Sequence, residues 1–174
     1  MSGAPLPTPD RFDRQQFVGR FGGVYEHSPW IAEAAFDAGI TCSPAAAEQL
    51  AEPLAAIVDR SSREARLALL RAHPELVGKL AVTGSLTSES RSEQSSAGLD
   101  RCSAEEFAEF QRLNERYNST FGFPFIIAVR GLTRADILAA FRRRVDNDPE
   151  AEFATALGEV HRIARLRLAA LARG

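Results

Sequence analysis

Apolar positions along this chain recur at three- and four-residue spacing almost throughout, and hardly anywhere at the two-residue spacing of a half-buried strand. Phe12, Phe17 and Phe21 predict a first helix over residues 10–21, which Gly22-Gly23 ends. A second is expected over residues 30–38, after Ser28-Pro29. Ser43-Pro44 offers an N-cap and a first-position proline for a third, which Pro53 is expected to kink or divide. Residues 62–72 carry Ala65, Leu69 and Ala72 at helical spacing. Ser103-Ala104-Glu105-Glu106 is a capping box, and the helix it opens has the stripe Phe107, Phe110, Leu113, Tyr117 and Phe121. Residues 133–145 form another helix, and a last one runs from Asp148-Pro149 to Leu171. Only Phe125, Ile126, Ile127, Ala128 and Val129 are continuous and β-branched enough to be extended. The pattern therefore predicts an all-α fold: a single-domain helical bundle over residues 10–174 with one short extended segment threaded through it. Residues 1–9, with three prolines and no apolar period, read as a loose N-terminal arm.

Composition narrows the function more than the fold. The chain has 174 residues, 45% hydrophobic and 25% charged, which is enough for one buried core. Its net charge of -2 gives no general attraction to nucleic acid or to an anionic membrane, and no run reaches spanning length. Cys42 and Cys102 are too few for a disulfide framework or a metal site, and the first residues lack the order of a signal peptide. A cytoplasmic location and a local, small-molecule chemistry are the expectation.

Chemistry is sought where the pattern turns polar residues inward. The run from Leu86 to Leu99 is dense in Ser, Glu and Gln. If Thr87 or Ser88 caps a short helix there and Gly98 ends it, then Ser90, Glu93 and Gln94 share one face, while the alternative is a solvated helix surface. On the last helix Arg167 falls within the face of Leu157, Val160, Ile163, Ala164, Leu168 and Leu171. An inward arginine implies either an internal carboxylate or an anionic ligand. His73 precedes Pro74, so the helix before it should end near Ala72 and leave the imidazole at a helix C-terminus, as a cap or as a catalyst. The backbone groups of residues 125–129 need partners among neighbours, water or a ligand.

Taken in order, these stretches resemble one family. Phe21-Gly22-Gly23-Val24-Tyr25-Glu26-His27-Ser28-Pro29-Trp30, His73-Pro74-Glu75-Leu76, the Leu86 to Leu99 run, and Leu113-Asn114-Glu115-Arg116-Tyr117 leading into Phe121-Gly122-Phe123-Pro124-Phe125 are similar to OHCU decarboxylase, which decarboxylates 2-oxo-4-hydroxy-4-carboxy-5-ureidoimidazoline in urate degradation. The resemblance implies a cofactor-independent carboxy-lyase, with no metal, forming (S)-allantoin as a homodimer. It implies His73, as proton donor, and Glu93 as the catalytic residues. It assigns the substrate to Pro74, Ser90, Arg91, Ser92, Gln94, the backbone of Phe125, Ile126, Ile127, Ala128 and Val129, and Arg167. Glu75 stands where Asp is common, and Val77 replaces a smaller residue beside the His-Pro turn. Other classes are a different cofactor-free lyase or hydrolase acting on a small ureide, and a helical interaction module.

Overall fold

A computed structural model describes residues 11–78 and 83–174, so the arm expected over residues 1–9 lies outside the described residues. Among the described residues there are eight α-helices and no strand: α1 (Arg14–Phe21), α2 (Trp30–Asp37), α3 (Ala51–Arg60), α4 (Arg63–Arg71), α5 (Ser88–Ser96), α6 (Ala104–Phe121), α7 (Arg134–Arg144) and α8 (Pro149–Ala172). Short 3₁₀ turns occupy Pro44–Leu50 and Leu99–Arg101. The fold is all-α, as the periodicity predicted. No helix among the described residues is long and apolar enough to cross a membrane. Two compact units emerge from the chain's contacts: Met1–Ser61 with Ala164–Gly174, and Ser62–Ile163.

The first unit is built on aromatic packing. Phe17 and Phe21 are buried, their ring centroids 4.9 Å apart, with Phe12 edge-on to Phe21 at 5.6 Å and Phe36 at 5.5 Å from Phe17. Asp13 caps α1 through a reciprocal box with Gln16, so the helix starts later than the apolar spacing alone suggested. Gly22 ends it: a Cβ there would sit 2.5 Å from the Val18 carbonyl oxygen, a distance no side chain tolerates. The division expected at Pro53 falls three residues earlier. Pro44–Leu50 winds as 3₁₀ and α3 begins at Ala51, which puts Pro53 in the first turn, where an N–H would have had no intrahelical acceptor.

The second unit has a ring-lined core. Phe125 and Phe141 stack with centroids 3.9 Å apart and planes 8° from parallel, and Tyr117 meets both edge-on. The expected capping box forms at Ser103 with Glu106, and a second, at Thr133 with Asp136, opens α7. Gly122 ends α6 in the left-handed conformation, φ +76°, which spares it the steric penalty of a Cβ. The stripe on α6 needs one correction. Phe110 and Tyr117 are buried, but Phe107, in the first turn, is 40% exposed, and the buried face also takes in Asn114.

One polar cluster lies inside this core. The Glu152 carboxylate is fully buried. It accepts from the Tyr117 hydroxyl at 2.6 Å, from Arg144 Nε at 2.8 Å and from Asn147 Nδ2 at 3.1 Å. Burial, reinforced by the neighbouring carboxylate, pushes the Tyr117 phenol well above its ordinary range, so it stays a donor.

Candidate active site

Helix α4 stops because proline at position 74 disfavours helical backbone at His73. Ala72 is the C-cap, and His73 is buried at the helix end, its N–H on the Leu70 carbonyl at 3.2 Å. The ring's Nδ1 lies 2.9 Å from the Leu69 carbonyl oxygen. A carbonyl only accepts, so Nδ1 carries the hydrogen and the ring gains or loses charge at Nε2.

Beyond Pro74 the chain turns sharply. Val77 has φ +53°, a left-handed conformation that is unfavourable for a β-branched residue. Side chains from two helices hold this turn by its backbone. Gln94 on α5 accepts from the Val77 N–H at 3.2 Å, while Gln111 and Asn114 on α6 donate to the carbonyls of Val77 at 2.7 Å and Leu76 at 2.9 Å. Asn118 donates to the Glu75 carboxylate. Gln111, Asn114 and Asn118 fall at i, i+3 and i+7, one stripe of α6.

Helix α5 is capped by Thr87, as expected, and consists almost wholly of Ser, Glu and Gln. It folds with Ser90 and Gln94 buried and Glu93 half-buried between them, so the polar face turns inward. Arg91 and Ser92 are exposed, and Arg91 donates to the Gly84 carbonyl at 2.8 Å. A cavity of about 500 Å³ is lined by Val77, Leu86, Arg91, Gln94, Cys102 and Phe107, among others, but not by His73. Cys102 and Cys42 are both unbridged, and burial holds their thiols above the ordinary value.

The segment after Pro124 is neither helix nor strand. Three of its backbone groups have protein partners: the Ile126 carbonyl accepts from Arg144 Nη1 at 2.7 Å, the Ala128 N–H donates to Glu159 at 2.8 Å, and the Val129 carbonyl accepts from the Leu132 N–H at 3.0 Å. The Arg144 guanidinium also lies over the Phe125 ring, 4.4 Å from its centroid. Of Phe125, Ile126, Ile127, Ala128 and Val129, all but Ile127 are buried.

Thus His73, Pro74, Ser90, Glu93, Gln94 and the 125–129 segment all belong to the second unit. Arg167 belongs to the first. It is buried as the helical pattern predicted, and Nη1 lies 2.8 Å from the Glu26 carboxylate, so the internal-carboxylate alternative describes its pairing. The Gly23 and Val24 carbonyls lie 3.4 Å from the same nitrogen. The sequence reading had passed over Gln111, Asn118, Arg144 and Glu152. The spacing of the amides on α6 was the available signal, but amides at helical spacing also describe a solvated face. Among the described residues no three His, Cys, Asp or Glu side chains are grouped to hold a metal ion.

The protein turns a short, wholly polar helix inward and buries a histidine at the end of another, which are polar groups of the kind that can meet a small polar molecule. Comparison with known proteins specifies the class further. The family profile described as OHCU decarboxylase matches residues 10–169, and the chain belongs to that family. The 2-oxo-4-hydroxy-4-carboxy-5-ureidoimidazoline decarboxylase of Haloferax volcanii is 46% identical over 92% of this chain and 91% of its own length. The mouse protein of the same name is 38% identical, over 90% of this chain and 86% of its own. Among solved structures, an (S)-allantoin synthase superposes with a TM-score of 0.71 at 35% identity, over 92% of this chain and 51% of that one. An OHCU decarboxylase crystallised in the presence of (S)-allantoin gives 0.61 at 29% identity, over 74% and 82%.

Proposed function

We propose that this protein decarboxylates 2-oxo-4-hydroxy-4-carboxy-5-ureidoimidazoline to (S)-allantoin, with His73 as the proton donor. Family membership supports the reaction, and the observation that carries the residue's role is the contact of His73 Nδ1 with the Leu69 carbonyl. That contact consumes one N–H of the ring. Donation from Nε2 therefore requires the imidazolium.

The chemistry asks for orientation and one proton. When the bond from C4 to the carboxyl group breaks, CO2 leaves and its electron pair moves into the conjugated ring. A proton delivered to one face of the resulting enol, as the hydroxyl becomes a carbonyl, sets the configuration. Glu93 and Ser90 supply an acceptor and a hydroxyl for ureido or ring N–H groups. Gln94 has a narrower part. Because its Oε1 accepts from Val77, the group it offers a ligand is the amide nitrogen, a donor suited to a substrate carbonyl or carboxylate. The backbone of residues 125–129 and Pro74 complete the substrate contacts of this proposal, and Arg91 and Ser92, both exposed, stand at its margin. The resemblance gives Arg167 a substrate-orienting role. A cytoplasmic homodimer belongs to the same proposal. Sedimentation equilibrium at twice the chain mass is the expected result, and a monomer mass contradicts it.

The test generates the unstable substrate in place from urate with urate oxidase and hydroxyisourate hydrolase, and follows circular dichroism. The expected result is rapid growth of the (S)-allantoin signal above a racemic spontaneous background. An unchanged signal from folded protein overturns the reading.

A further inference from the structure

The turn at Leu76 and Val77 shows two local irregularities at one place. Val77 is a β-branched residue held at φ +53°. Asn114, which spans to the Leu76 carbonyl through Nδ2, is 3% exposed, and its Oδ1 is buried with no hydrogen-bond partner among the described residues. Rotating that amide would not help, since it would set Oδ1 against the Leu76 oxygen. A buried orphan oxygen and a strained backbone are both unfavourable. Two together, three residues beyond Pro74, mean that this turn is held for its shape.

The shape has one consequence within reach of the substrate. Val77 in the left-handed conformation presents its N–H to Gln94 Oε1, while Gln111 and Asn114 fix the carbonyls on either side of that N–H. The Gln94 side chain is thereby held with oxygen on Val77, leaving nitrogen as the donor. We propose that Asn114, assisted by Gln111, is a positioning residue for the decarboxylation: it fixes the Leu76-Val77 turn, and the turn fixes the amide orientation of Gln94. The inference rests on the function proposed above for its kinetic arm alone; the turn itself is open to direct observation.

Asn114→Ala removes the donor to Leu76. Two measurements on the full chain keep the turn and the reaction apart. In ¹⁵N spectra, the Val77 amide loses protection from exchange and the Gln94 side-chain resonances shift. In the coupled allantoin assay, kcat falls by about tenfold to a hundredfold, the range for a misplaced catalytic group, with KM changed much less. Val77→Gly in the Asn114→Ala background relieves the Cβ penalty at φ +53° and restores part of kcat, which a general loss of stability would not allow. If Asn114→Ala does not fold, Gln111→Met, at a half-buried site, releases the Val77 carbonyl instead and carries the same expectations. An undisturbed Val77 amide in the folded variant overturns the clamp. A disturbed amide with unchanged kcat overturns the positioning role. Absence of turnover in the wild-type protein counts against the reaction and leaves the spectroscopic test of the clamp standing.

Discussion

Glu152→Gln puts the buried polar cluster under the sharpest strain that a near-isosteric change can apply. The carboxylate is fully buried and collects hydrogen bonds from Tyr117, Arg144 and Asn147, while Arg144, whose charge it neutralises, is itself only 5% exposed. Glutamine keeps the shape but removes the charge, and its NH2 faces at least one donor. Removing one partner of a buried ion pair costs about 3–5 kcal/mol because the other charge stays desolvated. For a chain of this size each kcal/mol corresponds to roughly 2–4 °C in Tm, so the variant should melt about 6–20 °C lower. Arg144→Met with Glu152→Leu removes both charges, leaving the Ile126 carbonyl and the Tyr117 hydroxyl without their partners at about 1–3 kcal/mol each. The double variant should therefore be less destabilised than the sum of its single changes, with a coupling of at least about 1 kcal/mol. Urea denaturation followed by far-ultraviolet circular dichroism gives all four stabilities of the cycle. A loss below about 1 kcal/mol in Glu152→Gln, or additive single changes, would show that the charges are not desolvated as the geometry requires.

Acid should act through the helix ends. Glu106 and Asp136 are held below the ordinary carboxylate range chiefly by the backbone N–H groups of Ser103 and Thr133, and Glu109 chiefly by Arg142. Their folded values lie below their unfolded ones, so their stabilisation is complete above the unfolded carboxylate range and disappears as pH falls through the lowered values. Glu106→Gln and Asp136→Asn should flatten that part of the stability curve, and an unchanged acid limb would refute the assignment. Glu26→Gln tests Arg167: pairing alone predicts a lower Tm with KM nearly unchanged, whereas the substrate-orienting role predicts that Arg167→Lys raises KM beyond any effect of Glu26→Gln. Equal KM values in the two variants would remove that role.

What the sequence made legible was local. Asp13 aside, the caps at Ser62, Thr87, Ser103 and Thr133 stand where the pattern places helix starts, because a cap is decided within four residues. Arg167 was legible as inward-facing because helical geometry alone puts it among Leu157, Val160, Ile163, Ala164 and Leu168. Glu152 was not. In the first turn of α8 an acid reads as a favourable partner of the helix dipole, and only the chain's return past Arg144 buries it. The amide stripe on α6 was hidden for the same reason, since its partners at Val77 and Leu76 lie 34 and 38 residues away in sequence. The resemblance pointed to Gln94, but which end of its amide meets a ligand follows from the left-handed turn at Val77, and a β-branched residue gives no warning of such a turn.

The most direct test of the central claim is the stereospecific rate of His73→Asn in the coupled allantoin assay. Asparagine can still donate to the Leu69 carbonyl, but it has no titrating proton to deliver. The expected result is a folded protein whose kcat is lower by about 10²–10⁴-fold and whose product approaches the racemic background. Retention of wild-type turnover with full (S) excess would contradict the assignment of His73 as the proton donor.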